Sequence, residues 1–147
     1  AGGQVKKADN SHIGIANEIE INKNGIKHPL YKNKDKKFNS PAFNFDEVVK
    51  IPDKGICLAS NKINKVQGLY FEVNKTKIWG LQYHPEITYE KMINLIEFRK
   101  ERLIESRKVF KDDTEVQKHI AFIKKEISVS DKEKRMLELK NWLNELN

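Results

Sequence analysis

The segment Ile78-Trp79-Gly80-Leu81-Gln82-Tyr83-His84-Pro85-Glu86 joins an apolar run to an imidazole and a carboxylate two residues apart. Residues i and i+2 of an extended chain project to one face, and the residue ahead of a proline is pushed toward β or polyproline geometry. His84 and Glu86 are therefore expected side by side at the C-terminal end of a strand. A carboxylate beside an imidazole fixes its tautomer, raises its basicity and stabilises the imidazolium formed when it takes a proton from a nucleophile. The same spacing has a plainer reading, in which Glu86 is a favourable charge just ahead of a helix N-terminus and His84 merely ends the strand. A His-x-Glu spacing alone leaves both open.

The other residues able to do chemistry are few. Cys57 is the only cysteine, which excludes an internal disulfide framework and metal sites built from CxxC pairs. It lies in the apolar stretch Gly55-Ile56-Cys57-Leu58-Ala59 and reads as a small core residue, since a reactive thiol needs an electropositive, partly exposed setting. His12 and His28 read as loop or strand-end residues without a partner at ligand spacing, and His119, among Lys and Gln, as a solvated helix residue. No metal or cofactor is expected.

The elements that must position these residues divide the 147-residue chain in two. Residues 1–87 hold all four prolines and all seven glycines between short β-rich runs; residues 88–147 hold none and read as helix. Alternation predicts a strand over Ile13–Ile21 entering a turn at Asn22–Gly25, and Ile56–Ala59 suits a buried strand. Val66–Val73 and Ile78–Tyr83 form a predicted hairpin across Asn74–Lys77, its alternate residues facing the helices of the second part. Tyr31–Ser40 reads as a polar, Lys-rich loop. Three helices are predicted: one capped by Thr88 and running through Leu103 and Ile104, one capped by Asp113 or Thr114 with Val116, Ile120, Ile123 and Ile127 on its buried stripe, and one opening at Ser130 with Met136, Leu139, Trp142, Leu143 and Leu146 along a core or docking face.

Composition narrows the function classes. No apolar run approaches the roughly 20 residues that span a bilayer, and Ala1–Asn10 shows no export signal, so a membrane is not an expected partner and the cytoplasm is the expected compartment. The net charge of +7 comes mostly from Lys, and the four Arg (Arg99, Arg102, Arg107, Arg135) lie on segments equally rich in Glu. Phosphate readers cluster Arg forks on one face, so nucleic acid is not an expected partner.

The whole stretch Trp79-Gly80-Leu81-Gln82-Tyr83-His84-Pro85-Glu86 closely resembles the Gly-Val-Gln-Phe-His-Pro-Glu signature of class I glutamine amidotransferases. Upstream, Asp46-Glu47-Val48-Val49-Lys50-Ile51-Pro52, Leu58-Ala59-Ser60-Asn61 and Val66-Gln67 resemble that family's succession of landmarks, and the helical tail resembles stand-alone members related to the amidotransferase part of GMP synthase. The resemblance implies a Cys-His-Glu triad that hydrolyses glutamine to glutamate and ammonia, with His84 as general base and acid and Glu86 as its orienter. It also implies glutamine-holding backbone groups at Phe43-Asn44-Phe45-Asp46, where Asn44 replaces the family's usual His and Asn44 and Phe45 are the matching substrate-binding positions. The family's nucleophile sits on a Gly-x-Cys-x-Gly elbow. Ala1-Gly2-Gly3-Gln4-Val5 looks like the segment that follows it, so the nucleophile half is expected to lie outside this chain, which alone is expected to be inactive.

The implied fold is an α/β, flavodoxin-like amidotransferase domain represented by its C-terminal part. Residues 1–87 would belong to its core, with an antiparallel hairpin, and residues 88–147 would form a three-helix tail packed on the same domain. Glutamine is the implied substrate, and the missing half and a separate ammonia-acceptor enzyme are the implied partners. Two rivals stand beside this reading: a γ-glutamyl peptidase or hydrolase of the same fold, and a non-catalytic binding module that uses the basic loop Lys32–Lys37.

Overall fold

The computed structural model describes residues 1–146. In chain order these form β1 (Gln4–Ile13), β2 (Ala16–Ile21), α1 (Lys23–Lys27), a 3-10 turn (Pro29–Tyr31), β3 (Lys37–Ser40), β4 (Phe43–Lys50), β5 (Ile56–Ser60), β6 (Gly68–Val73), β7 (Thr76–Leu81) and α2 (Tyr89–Phe98). A π turn (Arg102–Ser106), α3 (Asp113–Val129), α4 (Lys132–Arg135) and α5 (Leu137–Asn144) complete the chain. Five strands make one sheet in the order β3-β2-β5-β6-β7, and β1 pairs with β4. Every strand pairing among the described residues is antiparallel.

The predicted strand over Ile13–Ile21 is broken at Gly14, whose φ is +83°. A Cβ at Gly14 would stand 2.5 Å from the Ile123 Cδ1 and 2.8 Å from the Ile96 Cδ1, so α2 and α3 press directly on this backbone. The break hands the chain from one core to another. Ile13 and Ile15 join Tyr89, Ile96, Leu103, Phe110, Val116, Ile120 and Ile123 under the helices. Ala16, Ile19 and Ile21 join Leu30, Tyr31, Leu58, Ala59 and Tyr83 under the five-stranded sheet.

The β6–β7 hairpin turns more tightly than predicted. Asn74 and Lys75 both have positive φ, at 49° and 67°, and Val73 pairs with Thr76, so the loop has two residues and Thr76 and Lys77 belong to β7. Such a turn matches the twist of the flanking strands. The hairpin also packs elsewhere than expected: Tyr70, Trp79 and Leu81 lie on the sheet's own core, and the His28 ring meets Tyr70 and Trp79 at 4.9 and 5.0 Å. The tail helices instead cover Ile13, Ile15, Phe43 and Phe45. On β5, Leu58 and Ala59 are buried as predicted while Ile56 is exposed. The predicted turn at Asn22–Gly25 is the capped start of α1, and the Lys-rich loop ends in the edge strand β3.

Thr88 caps α2 as predicted. The helix stops at Phe98, and Leu103 is buried from the π turn rather than from a continuous helix. The next two caps shift by one residue. Asp112 accepts from Glu115 N–H at 2.9 Å, and Asp131 from Glu133 N–H at 2.8 Å, because a cap must precede the first helical residue for its carboxylate to reach the free N–H groups of the first turn. On α3 the predicted stripe is buried through Val116, Ile120 and Ile123.

The last helix keeps only part of its predicted face inward, with Met136 and Leu139 half-buried. Glu138 and Asn141 are buried, whereas Trp142, Leu143 and Leu146 are 43%, 53% and 65% exposed. The surface this helix meets offers polar partners: Asn141 Nδ2 donates to the carbonyls of Leu30 and Lys32 at 2.9 and 3.0 Å, and Glu138 reaches a phenol and an ammonium.

Candidate active site

His84 lies three residues beyond the end of β7, in the irregular connection between β7 and α2. Three backbone contacts hold that connection. His84 N–H donates to the Pro41 carbonyl at 2.7 Å, Ile87 N–H to the His84 carbonyl at 3.1 Å, and Asn44 Nδ2 to the Gln82 carbonyl at 2.7 Å. With the backbone so fixed, His84 Nδ1 and Glu86 Oε1 lie 2.8 Å apart. A carboxylate only accepts, so Nδ1 carries the proton, and in the neutral ring Nε2 presents its lone pair. The side chains are 41% and 48% exposed, which leaves the imidazole open to a group approaching from outside this chain.

Alternation along β4 separates the two residues matched to substrate binding. Asn44 projects toward the dyad's connection, and its Oδ1 is buried with no hydrogen-bond partner among the described residues. Phe45 projects to the other face, edge-on to Phe43 at 5.8 Å and beneath the Arg107 guanidinium at 4.4 Å. Its side chain does not join the dyad. Opposite Asn44 in the β1–β4 register is His12, only 2% exposed, with Nε2 accepting from Gln67 Nε2 at 2.9 Å. Burial holds the His12 pKa below its ordinary value, so this imidazole is neutral. The Gln67 carbonyl in turn accepts from Gln82 N–H at 2.9 Å, which places a buried polar layer directly behind the connection.

The remaining candidates fall away from the dyad. Cys57 is half-buried on β5, with Sγ directed at the Ala59 and Lys65 carbonyls at 3.5 and 3.4 Å, and burial pushes its thiol pKa up. His28 Nδ1 accepts from Leu30 N–H at 3.2 Å and caps the 3-10 turn. His119 is not solvated as the sequence suggested: its Nε2 donates to the Ile13 carbonyl at 2.6 Å, because the C-terminal end of β1 leaves that oxygen facing α3. No group of three or more His, Cys, Asp or Glu among the described residues is placed to hold a metal ion.

Sequence reasoning missed the contacts that the tail makes with the dyad's connection. Arg135 Nη1 donates to the carbonyls of Pro85 and Ile87 at 2.5 and 2.6 Å. The Tyr83 hydroxyl donates to Glu138 Oε1 at 2.7 Å, with the Tyr31 hydroxyl 3.1 Å away. Glu138 Oε2 pairs with Lys34 Nζ at 2.8 Å, with both side chains almost fully buried. Burial holds the Lys34 pKa below its ordinary value against the pull of Glu138, and burial raises that of Tyr83 well above its own. The available signal was polar: Arg135, Glu138 and Asn141 recur every three residues, on one side of the tail.

No protein-family model matches the chain. A γ-glutamyl-L-1-hydroxyisopropylamide hydrolase from a Pseudomonas species is 32% identical over 92 residues, which cover 60% of this chain and 31% of the relative. The glutamine-hydrolysing GMP synthase subunit of Methanocaldococcus jannaschii is 32% identical over 96 residues, covering 65% of this chain and 47% of the relative. The crystal structure of a glutamine amidotransferase from Thermotoga maritima superposes on 99% of this chain and 55% of its own length, with a TM-score of 0.66 at 18% identity. The chain thus spans about half the length of these proteins or less. Its fold is that of the matching part of the glutamine amidotransferase, and its sequence is similar to glutamine-hydrolysing and γ-glutamyl-hydrolysing proteins. No helix among the described residues is long and apolar enough to cross a membrane.

Proposed function

We propose that this chain carries the His-Glu part of a glutamine-hydrolysing site of the class I amidotransferase type. The observation that carries the reading is the 2.8 Å contact between His84 Nδ1 and Glu86 Oε1, inside the segment that resembles the family's signature. In this reading residues 1–87 are the C-terminal part of the amidotransferase core, and residues 88–147 are a helical tail of the same unit.

The chemistry follows from the tautomer. His84 Nε2 takes the proton of a thiol, and the thiolate attacks the side-chain amide carbon of glutamine. The imidazolium, stabilised by Glu86, returns its proton to the departing ammonia. Water, deprotonated by the same nitrogen, then releases glutamate from the γ-glutamyl thioester. The thiol comes from a segment outside this chain, because Cys57 is half-buried with a raised pKa and its sulfur is directed at two carbonyls. Backbone groups of Asn44 and Phe45 hold the glutamine, and a separate enzyme consumes the ammonia.

The test is ammonia and glutamate release from glutamine, by the chain alone and by the chain joined to a segment carrying a Gly-x-Cys-x-Gly elbow. The chain alone should be inactive, and the joined protein active until His84→Ala is introduced. A joined protein that hydrolyses neither glutamine nor any γ-glutamyl amide would refute the proposal. Similarity to the γ-glutamyl-L-1-hydroxyisopropylamide hydrolase favours a second reading, in which the same dyad acts on a substituted γ-glutamyl amide. Turnover of such an amide without turnover of free glutamine would select it.

A further inference from the structure

We propose that Arg135 and Glu138 are positioning residues that hold the His84–Glu86 dyad in register from the tail. The inference rests on reading His84 and Glu86 as a working pair. It starts from where the tail's contacts fall: on the Tyr83 hydroxyl, the Pro85 carbonyl and the Ile87 carbonyl. The two dyad residues are the ones in between. Residues 84–87 form a turn closed by the Ile87 N–H to the His84 carbonyl at 3.1 Å, so a grip on Tyr83 and on the carbonyls of Pro85 and Ile87 fixes the turn from which both dyad side chains leave.

The grip is suited to that task. The bonds already named reach the Gln82 and His84 carbonyls and the His84 and Ile87 N–H groups, and the carbonyls of Pro85 and Ile87, on either side of Glu86, are met by the tail. Arg135 holds both from a single nitrogen, which sets the direction in which the Glu86 side chain leaves the backbone. Glu138 sets Tyr83, the residue before His84, and is itself held by Lys34, whose Nζ also donates to the Lys134 carbonyl at 2.8 Å. Much of the seating of this part of the tail is polar, with Met136, Leu137 and Leu139 only half-buried. Its large apolar residues Trp142, Leu143 and Leu146 are exposed, while Glu138 and Asn141 face inward.

The experiment reads the His84 tautomer in the chain as it stands, by ring nitrogen NMR shifts and long-range proton couplings at a pH where the imidazole is neutral, with the His84 signals assigned by their loss in His84→Ala. The wild-type ring should be protonated at Nδ1. In Arg135→Ala the ratio of Nδ1–H to Nε2–H should fall by roughly threefold to tenfold, as the loss of one ordinary hydrogen bond allows, while the amide spectrum stays that of a folded protein. Arg135→Lys, which keeps the charge on a single-point donor, should fall between the two. A folded Arg135→Ala with the wild-type ratio overturns the proposal, as does a wild-type ring protonated at Nε2. Should the alanine variant not fold, an unchanged ratio in Arg135→Lys overturns it instead. The readout is independent of turnover. A joined protein that works while the ratio ignores Arg135 sinks the brace alone, and a braced dyad inert in the joined protein sinks the functional reading alone.

Discussion

His84 and Glu86 touch at 2.8 Å, yet both side chains remain close to half exposed. In such a position the pair contributes little to stability, since solvent screens exposed ion pairs to about 0–1 kcal/mol. In the proposed hydrolysis its value is orientation. Glu86→Gln should therefore leave the urea midpoint of the chain almost unchanged and slow glutamine hydrolysis in the joined protein, whereas His84→Ala should abolish thioester formation. Single-turnover assays of the two variants check this, and an unchanged rate in Glu86→Gln would return Glu86 to the role of a charge ahead of a helix.

Gly14 should tolerate no side chain. Gly14→Ala meets Ile123 and Ile96 within contact distance and places a Cβ at a φ of +83°, so a loss of roughly 2–4 kcal/mol is expected from overpacking and backbone strain together. Gly2 provides the control. It has a similar φ of +80° but its nearest neighbour would be an Asp53 oxygen at 3.5 Å, so Gly2→Ala should cost clearly less in the same urea titration.

Acid should destabilise the fold through its buried imidazoles. Burial lowers the pKa of His12 and of His28, so the unfolded chain binds protons that the folded one refuses. Their contribution is fully present above about pH 6.5, the unfolded value, and is lost as pH falls through the lowered folded values. Unfolding of wild type and His12→Asn at pH 7.5 and pH 5 should show a smaller difference for the variant. An identical difference would mean that His12 is not a source of the acid sensitivity.

The Lys34–Glu138 pair should behave as a buried charge pair. Glu138→Ala leaves the Lys34 ammonium without its counter-ion and should cost about 3–5 kcal/mol, whereas Lys34→Met combined with Glu138→Leu should recover most of that loss. Chemical denaturation of the single and double variants separates the two outcomes. A double variant as unstable as Glu138→Ala would show that the Tyr83 contact, not the charge balance, dominates at this position.

The parts of this protein legible from residue order are those governed by near neighbours. The His84-Pro85-Glu86 succession keeps the two side chains within three residues of each other as expected, but they meet across a turn closed by the Ile87 N–H to the His84 carbonyl at 3.1 Å rather than along an extended strand end. The β6–β7 hairpin, the Thr88 cap and the buried stripe of α3 follow from spacings of two to four residues, and only their ends moved by a residue or two. Tertiary structure decided the rest. The strand over Ile13–Ile21 divides because α2 and α3, from the far half of the chain, close on Gly14. His119 is drawn inward by a free carbonyl at the end of β1, and the last helix turns Glu138 and Asn141 down because the surface beneath it offers the carbonyls of Leu30 and Lys32, a phenol and a buried ammonium. An amphipathic pattern states which face of a helix is apolar. Which face is buried depends on whether the facing surface presents hydrocarbon or unsatisfied polar atoms, and burying the latter without partners is costly enough to override the pattern.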